Sequence, residues 1–398
     1  MRSAIILVLQ NARVLGELTP GFKGDFADIV IDGDRILDIL PAGSAVTGEI
    51  INVNGKSVLP GFIDAHVHLD LSGMDTWQEN TQSDAFRVLR AVSLAQDNLK
   101  KGFTTLRDLG DRNNIIIDLS NAVRNGFAVA PDIFASGMII SPTERGNNFF
   151  ESMYAEADGK YEVVKAVRKQ VQAGATWIKY MGTGAIMNPG SEPGASIYLQ
   201  EEVNAIVQTA DMLSIPVVGH CHGASGMIMA INAGVRTIEH ATILDQKTVD
   251  MLKASTRTFI VPTVTPPTYW ATTEVEFPEH YIRKSKKIFD IMVNSITMAY
   301  KNGLKIGFGT DAGVYDGSHG DNSYEFKSRC KYAGMKPLDV LVQATKNNAE
   351  ILMIDNEVGT LEIGKKANIV VIDGNPDEDI YKVDNVVLVI KGGKKVNI

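Results

Sequence analysis

The chain has 398 residues, 44% of them hydrophobic and 22% charged, with a formal charge of −8. That length accommodates one large domain plus a smaller one, in the composition range of ordinary globular proteins. The acidic balance gives no long-range attraction to phosphate backbones or anionic membranes, so neither nucleic acid nor membrane is an expected partner.

The two cysteines, Cys221 and Cys330, are too few for a disulfide framework or a cysteine-ligated zinc module, and a cytoplasmic location is expected. The apolar run Ala4 to Leu9 is shorter than a secretory core and reads as a first strand. Ala27 to Ile31 and Arg35 to Leu40 then flank the turn Asp32-Gly33-Asp34, a strand pair. From Leu59 onward, apolar runs alternate with amphipathic helical stretches such as Gln200 to Leu213. Eight strand candidates end near His68, Asp108, Met138, Met181, His220, His240, Thr263 and Asp311. Eight βα units predict an α/β fold, a (β/α)8 TIM barrel. Two later β-type runs, Ala367 to Ile372 and Asn385 to Ile390, are expected to join the N-terminal strands. The expected organisation is therefore a barrel over 59–355, inserted into a small β-sandwich domain built from 1–58 and 356–398. No run approaches the roughly 18 to 20 apolar residues of a membrane helix.

Five of the seven histidines fall at predicted strand ends, and the C-terminal strand ends form the catalytic face of such barrels. His66 and His68 are separated by one residue, so both side chains leave a strand on the same side and can share one ion. Val217 to His222 and Thr237 to His240 repeat the pattern of an apolar run ending in histidine. Any one of these could be a packed histidine bonded to a carbonyl; several converging strands favour a metal centre. Asp311 ends the eighth run and can ligate a cation or accept a proton, the alternative being a helix cap. Lys179 ends the fourth strand, where an ammonium has no lone pair to offer and a structural lysine is the default. A carbamate formed with carbon dioxide would reverse that, since its oxygens could bridge two cations. Cys221 lies on the opposite side of its strand from His220 and His222, which argues against a cysteine nucleophile.

The set Pro60 to His68, Ile178-Lys179, Val218-Gly219-His220, Ile238-Glu239-His240 and Gly309-Thr310-Asp311 resembles the amidohydrolase superfamily over nearly the whole chain. Val358 to Asn368 and Asp373 to Pro376 resemble the closing strands of its small β-domain. Within it, the chain is most similar to the branch of prolidase-like dipeptidases, carboxypeptidases and N-acyl-amino-acid hydrolases. The resemblance implies two divalent ions, zinc by expectation. His66 and His68 would hold one, His220 and His240 the other, carboxylated Lys179 would bridge them, and Asp311 would be ligand and catalytic acid/base. His222 matches a position associated with the substrate carboxylate, although spacing alone also allows it to replace His220 as ligand. His319 matches a loop of the branch and is a second substrate-contact candidate. The chain departs from the branch after strand three, where Ser141 to Asn148 stands in place of a Gly-Gly-His segment, so the pocket must differ there; Arg145 in that loop could meet an anionic group. Gly182-Thr183-Gly184 lacks the rest of a phosphate-loop pattern.

The implied reaction is attack on an amide carbonyl by a hydroxide held between the metals, with Asp311 passing the proton to the departing amine. The expected substrate is a dipeptide or N-acyl amino acid, and a homo-oligomer is compatible with this reading. The alternatives are a cyclic amide, carbamate or urea, as for imidazolonepropionase-like relatives, and a non-catalytic scaffold, which should have lost ligands that are all present here.

Overall fold

Short runs of β-branched and aliphatic residues, broken by Asn and Gly turns, build the first five strands: β1 (Leu7–Arg13), β2 (Phe26–Asp32), β3 (Arg35–Pro41), β4 (Glu49–Asn52) and β5 (Ser57–Pro60). The computed structural model describes residues 6–44, 46–73, 76–274 and 276–397. Ala4 and Ile5 of the predicted first strand therefore lie outside the described residues, and the strand runs on past Leu9. β2 and β3 pair antiparallel across Gly33, whose φ of 58° meets the left-handed requirement of the turn.

The central region is parallel. Strands β6 (Phe62–Val67), β7 (Phe103–Asp108) and β8 (Asp132–Ala135) form one sheet. Strands β9 (Ile139–Ser141), β10 (Tyr154–Glu156), β11 (Ile178–Met181), β12 (Val217–Gly223), β13 (Thr237–Ile243) and β14 (Phe259–Val261) form another, in the order β10-β9-β11-β12-β13-β14. Helices such as Asp84–Lys100, Gly159–Ala173 and Gln200–Met212 connect them, as the alternating pattern predicts. Two predicted strands differ. The third stops at Ala135, because Gly137 turns the chain at φ 68°, and Met138 falls between β8 and β9. The eighth, Ile306 to Asp311, forms no regular strand: it carries one isolated parallel bridge, Ile260 to Ile306, and a second follows just beyond it, Val67 to Ala312. Its remaining ties include Ala65 N to Phe308 O at 3.0 Å and Asp311 N to His66 O at 2.7 Å.

The C-terminal strands β15 (Ile369–Ile372), β16 (Val386–Lys391) and β17 (Lys394–Val396) return to the beginning of the chain. β15 pairs antiparallel with β5, giving an eight-stranded sheet ordered β17-β16-β15-β5-β1-β2-β3, with β4 on β1. Alternation divides β5 and β15 between two cores. Val58, Ile369 and Val371 pack with Leu9 and Ile29, whereas Leu59, Val370 and Ile372 pack with Phe62 and Phe103. No helix among the described residues is long and apolar enough to cross a membrane.

Asn348 substitutes for missing ladder bonds beside the eighth segment. Its Nδ2 donates to Ile63 O at 2.7 Å and Phe308 O at 2.8 Å, while its Oδ1 accepts from Phe308 N at 2.9 Å. Asn348→Ala strands a buried N–H and a carbonyl and is expected to lower stability by about 2–4 kcal/mol, read from the urea unfolding midpoint. A loss below about 0.5 kcal/mol would show that the segment is held by other contacts.

Candidate metal centre

The alternation of β6 sends His66 and His68 to the same side, where both are buried. Each ring has its Nδ1 committed to an acceptor: His66 to Glu239 Oε2 at 2.8 Å, and His68 to the Gly110 carbonyl at 2.9 Å. Those partners place the proton on Nδ1 and leave Nε2 as the ligating atom. Glu239 is itself fixed, accepting from Arg107 Nη2 at 2.9 Å and Thr237 Oγ1 at 2.6 Å. Arg107 in turn donates to Ala65 O at 2.7 Å and lies over the Trp177 ring at 4.5 Å. Sequence reasoning missed this support.

Asp311 approaches from the eighth segment, its Oδ1 3.4 Å from both His66 Nε2 and His68 Nε2. Its φ of 58° aims the carboxylate back over β6. Gly309 must be glycine, since a Cβ there would stand 2.8 Å from His66 Cβ and 2.7 Å from Val261 Cγ1. Asp64 locks the two segments from below, accepting from His66 N, Thr310 N, Thr310 Oγ1 and Asn322 Nδ2 at 2.7–3.1 Å. Burial pushes the Asp311 carboxyl up, but His66 and His68 outweigh it and hold it below the usual carboxylate range.

The second cluster comes from β12 and β13. His220 and His222 leave β12 on one side, with Cys221 opposite and fully buried, its thiol pushed up by burial to about 12. In β13, Thr237 and Glu239 already face the interior, so His240 should face away. Left-handed backbone at His240, φ 70°, and Ala241, φ 47°, breaks the alternation and turns His240 inward as well. Such strain concentrates at functional sites. His240 Nε2 stands 2.9 Å from His220 Nδ1, and the rings of His222 and His240 stack at 4.8 Å. Thr263 and Thr242 hydroxyls engage Nδ1 of His240 and His222, each at 2.7 Å. Burial holds His66, His220 and His240 far below the ordinary imidazole range, and His222 at about 3. All four therefore present neutral rings, the form a cation requires.

Two sets of three donor atoms, His66–His68–Asp311 and His220–His222–His240, each lie within 4.8 Å of one another. Lys179 lines the same cavity, buried, with its Nζ lacking any hydrogen-bond partner, and His220 Nε2 is likewise unpartnered. Burial lowers the amine to about 8, and its charge is felt by members of both sets. A donor set of imidazoles and a carboxylate, with orphaned polar atoms at its centre, fits divalent cations.

Most other walls of the cavity are apolar and include Ile139, Phe150, Met153, Ile186, Met187 and Trp270. Asn188 and Tyr154 add polar groups, while Arg145 is not among the lining residues. His222 is brought into the cavity, beside the donors of the second set. His319 is not: Asn98 engages its Nδ1 at 3.1 Å, and its Nε2 donates to His68 O at 3.1 Å, behind the centre.

Residues 57–396 match the amidohydrolase family. Ochratoxinase of Aspergillus niger is 26% identical over 371 residues, covering 85% of this chain and 75% of the relative. Two solved structures are similar, a prolidase complexed with N-methylphosphonate-L-proline and a Xaa-Pro dipeptidase with bound methionine in the active site. Their TM-scores are 0.89 and 0.90 at 31% and 30% identity, and each match covers 98% of this chain and 99% of that chain. With a family match over well more than half its length, on residues that converge in one cavity, the chain belongs to the amidohydrolase family and is a hydrolase of carbon–nitrogen bonds.

Proposed function

We propose that this protein is a binuclear metal-dependent hydrolase that cleaves the amide bond of dipeptides or N-acyl amino acids. The observation that carries this reading is the meeting of two three-donor sets around one unpartnered lysine. His66, His68 and Asp311 would hold one cation, His220 and His240 the other, and carboxylated Lys179 would join both. When bound, two divalent cations, zinc in this reading, acidify water and polarise a carbonyl. Asp311 takes the proton from the attacking water and returns it to the departing amine nitrogen. The buried Glu239 keeps His66 in its ligating tautomer throughout. His222 receives the substrate carboxylate through the ring nitrogen not engaged by Thr242. The similarity to a prolidase and a Xaa-Pro dipeptidase supports the substrate class.

We infer the matching architecture: a closed (β/α)8 barrel over 59–355, and a small β-sandwich domain shared by 1–58 and 356–398. The bridges from Val67 to Ala312 and from Ile260 to Ile306 support closure, and the β5–β15 ladder supports the shared domain.

Purified protein is expected to hold close to two divalent ions per chain by elemental analysis, with hydrolysis lost on chelation and restored by zinc. Full activity with less than about one-tenth of an ion per chain would end the metal reading.

Lys179→Ala is expected to weaken metal binding and lower activity by several orders of magnitude, and Lys179→Arg to be no better, since guanidinium has no lone pair. Carbon-13 NMR of protein equilibrated with labelled bicarbonate should show a carbamate carbon. An unmodified amine beside two full metal sites would exclude the bridge.

His222→Ala is expected to retain both metals while activity on substrates with a free carboxylate falls roughly tenfold or more, the loss of a charge-assisted hydrogen bond. Amidated substrates should change little. Loss of metal, or equal loss on both substrates, would make His222 a ligand instead.

A further inference from the structure

The segment between β11 and the helix Gln200–Met212 has no regular secondary structure beyond isolated bridges, yet Ala185, Ile186, Met187 and Asn188 in it are four consecutive residues of the cavity wall. A loop of this length is mobile unless tied from outside. The tie comes from the helix Glu279–Lys301. His280, Arg283, Lys284 and Lys287 recur at the spacing of one helical face, and all four engage the loop. His280 Nε2 donates to Met187 O at 2.9 Å, and Arg283 and Lys287 meet Glu192 at 3.0 and 3.1 Å. Those two ion pairs are exposed and contribute little to holding the loop.

Lys284 is different. It is fully buried, and its Nζ donates to three backbone carbonyls of the loop: Ala185 at 3.0 Å, Asn188 at 2.6 Å and Ser191 at 2.7 Å. All three ammonium protons are thereby used. No carboxylate among the described residues lies within ion-pair distance of it, so the loop's carbonyl dipoles take the place of a counter-ion. Burying an ammonium without a paired charge is unfavourable unless its hydrogen bonds are complete. The loop and the lysine therefore depend on one another: without the ammonium, three inward-pointing carbonyls lose their common donor.

We infer that Lys284 is a positioning residue for substrate selection, fixing Ala185, Ile186 and Met187 as the apolar wall that receives a large apolar or aromatic side chain of the substrate. The inference rests on the hydrolase reading above for the identity of the substrate, but the clamp itself does not. Ile186 and Met187 on the clamped loop share the cavity with Phe150, Met153 and Trp270, and no aspartate, glutamate, lysine or arginine among the described lining residues lies outside the metal centre. Such a slot selects by apolar area, and a wall free to move would lose that selection while leaving the reacting groups untouched.

The test compares wild type, Lys284→Met and Lys284→Arg. Zinc content is measured for each. Steady-state kinetics use two N-acetyl amino acids, one with a phenylalanine and one with an alanine side chain, and hydrogen exchange is followed across residues 182–195. Lys284→Met is expected to keep its zinc, to raise KM for the phenylalanine substrate about tenfold with kcat changed less than about threefold, and to change the alanine substrate little. Exchange in 182–195 should accelerate by at least about tenfold. Lys284→Arg should recover part of both effects. Unchanged exchange in Lys284→Met, or equal loss on both substrates, would overturn the inference. If the methionine variant does not fold, His280→Ala, which removes one loop hydrogen bond, that to Met187 O, together with ring contacts to Phe149 and Tyr281, carries the same comparison with smaller expected changes in the same direction. If wild type hydrolyses neither substrate, the reading of N-acyl amino acids as substrates fails, while the exchange comparison still decides whether Lys284 holds the loop.

Discussion

The buried contact between Glu239 and His66 is the constraint on which the centre depends. A carboxylate removed from water needs compensation, and here Arg107, Thr237 and the imidazole supply it together. The result is one tautomer of His66 and one ring orientation. Because Arg107 also holds Ala65 O and stacks on Trp177, the same group joins β6, β7, β13 and the start of β11 beneath the donors. Removing either charged partner would leave the other buried alone, which is more disruptive than never having built the pair. The donors are thus set before any ligand arrives.

The division of labour between strands and loops follows. Histidines stand on strands, whose backbone ladders fix them, and Asp311 stands on a segment pinned by Asp64, Asn322 and Asn348. Ile139 and Met181 stand on strands, but most of the apolar wall comes from loops and from the helix Thr265–Thr272, which need separate ties. An apolar enclosure lowers the local dielectric and strengthens every charge interaction at the donors. Burial accordingly dominates the protonation of His66, His220, His222 and His240, whereas at His68 it is outweighed by the adjacent Asp311 carboxylate, which raises that ring.

Much of the site was legible because strand alternation is a simple rule. His66 with His68, and His220 with His222, obey it, and the small sheet formed from both chain ends follows from the β-type runs near each terminus. Glu239 was not legible, because alternation lets only one of Glu239 and His240 face inward and the histidine was the evident ligand, whereas the left-handed backbone at His240 brings both inside. Lys284 was hidden for another reason: a lysine on a polar helical stretch ordinarily faces water, and nothing local in sequence reveals three carbonyls almost a hundred residues away. The broken third strand had a signal that was passed over, the Ser136-Gly137 pair before Met138. For His319, a loop histidine near a metal aspartate, the sequence could not distinguish the front of the centre from its back, and it is the back that the ring occupies.

The ladder between β5 and β15 pairs Pro60 with Ile369 and Ser57 with Ile372. During synthesis, β5 (Ser57–Pro60) emerges long before its partner β15 (Ile369–Ile372), so Leu59 and Phe62 must wait for Val370 before their shared core can close. Contacts of such long sequence separation form slowly, and the apolar edge they leave open is vulnerable to aggregation in the interval. How long that apolar edge stays open is therefore set by the sequence distance between two short strands rather than by the parallel strands between them.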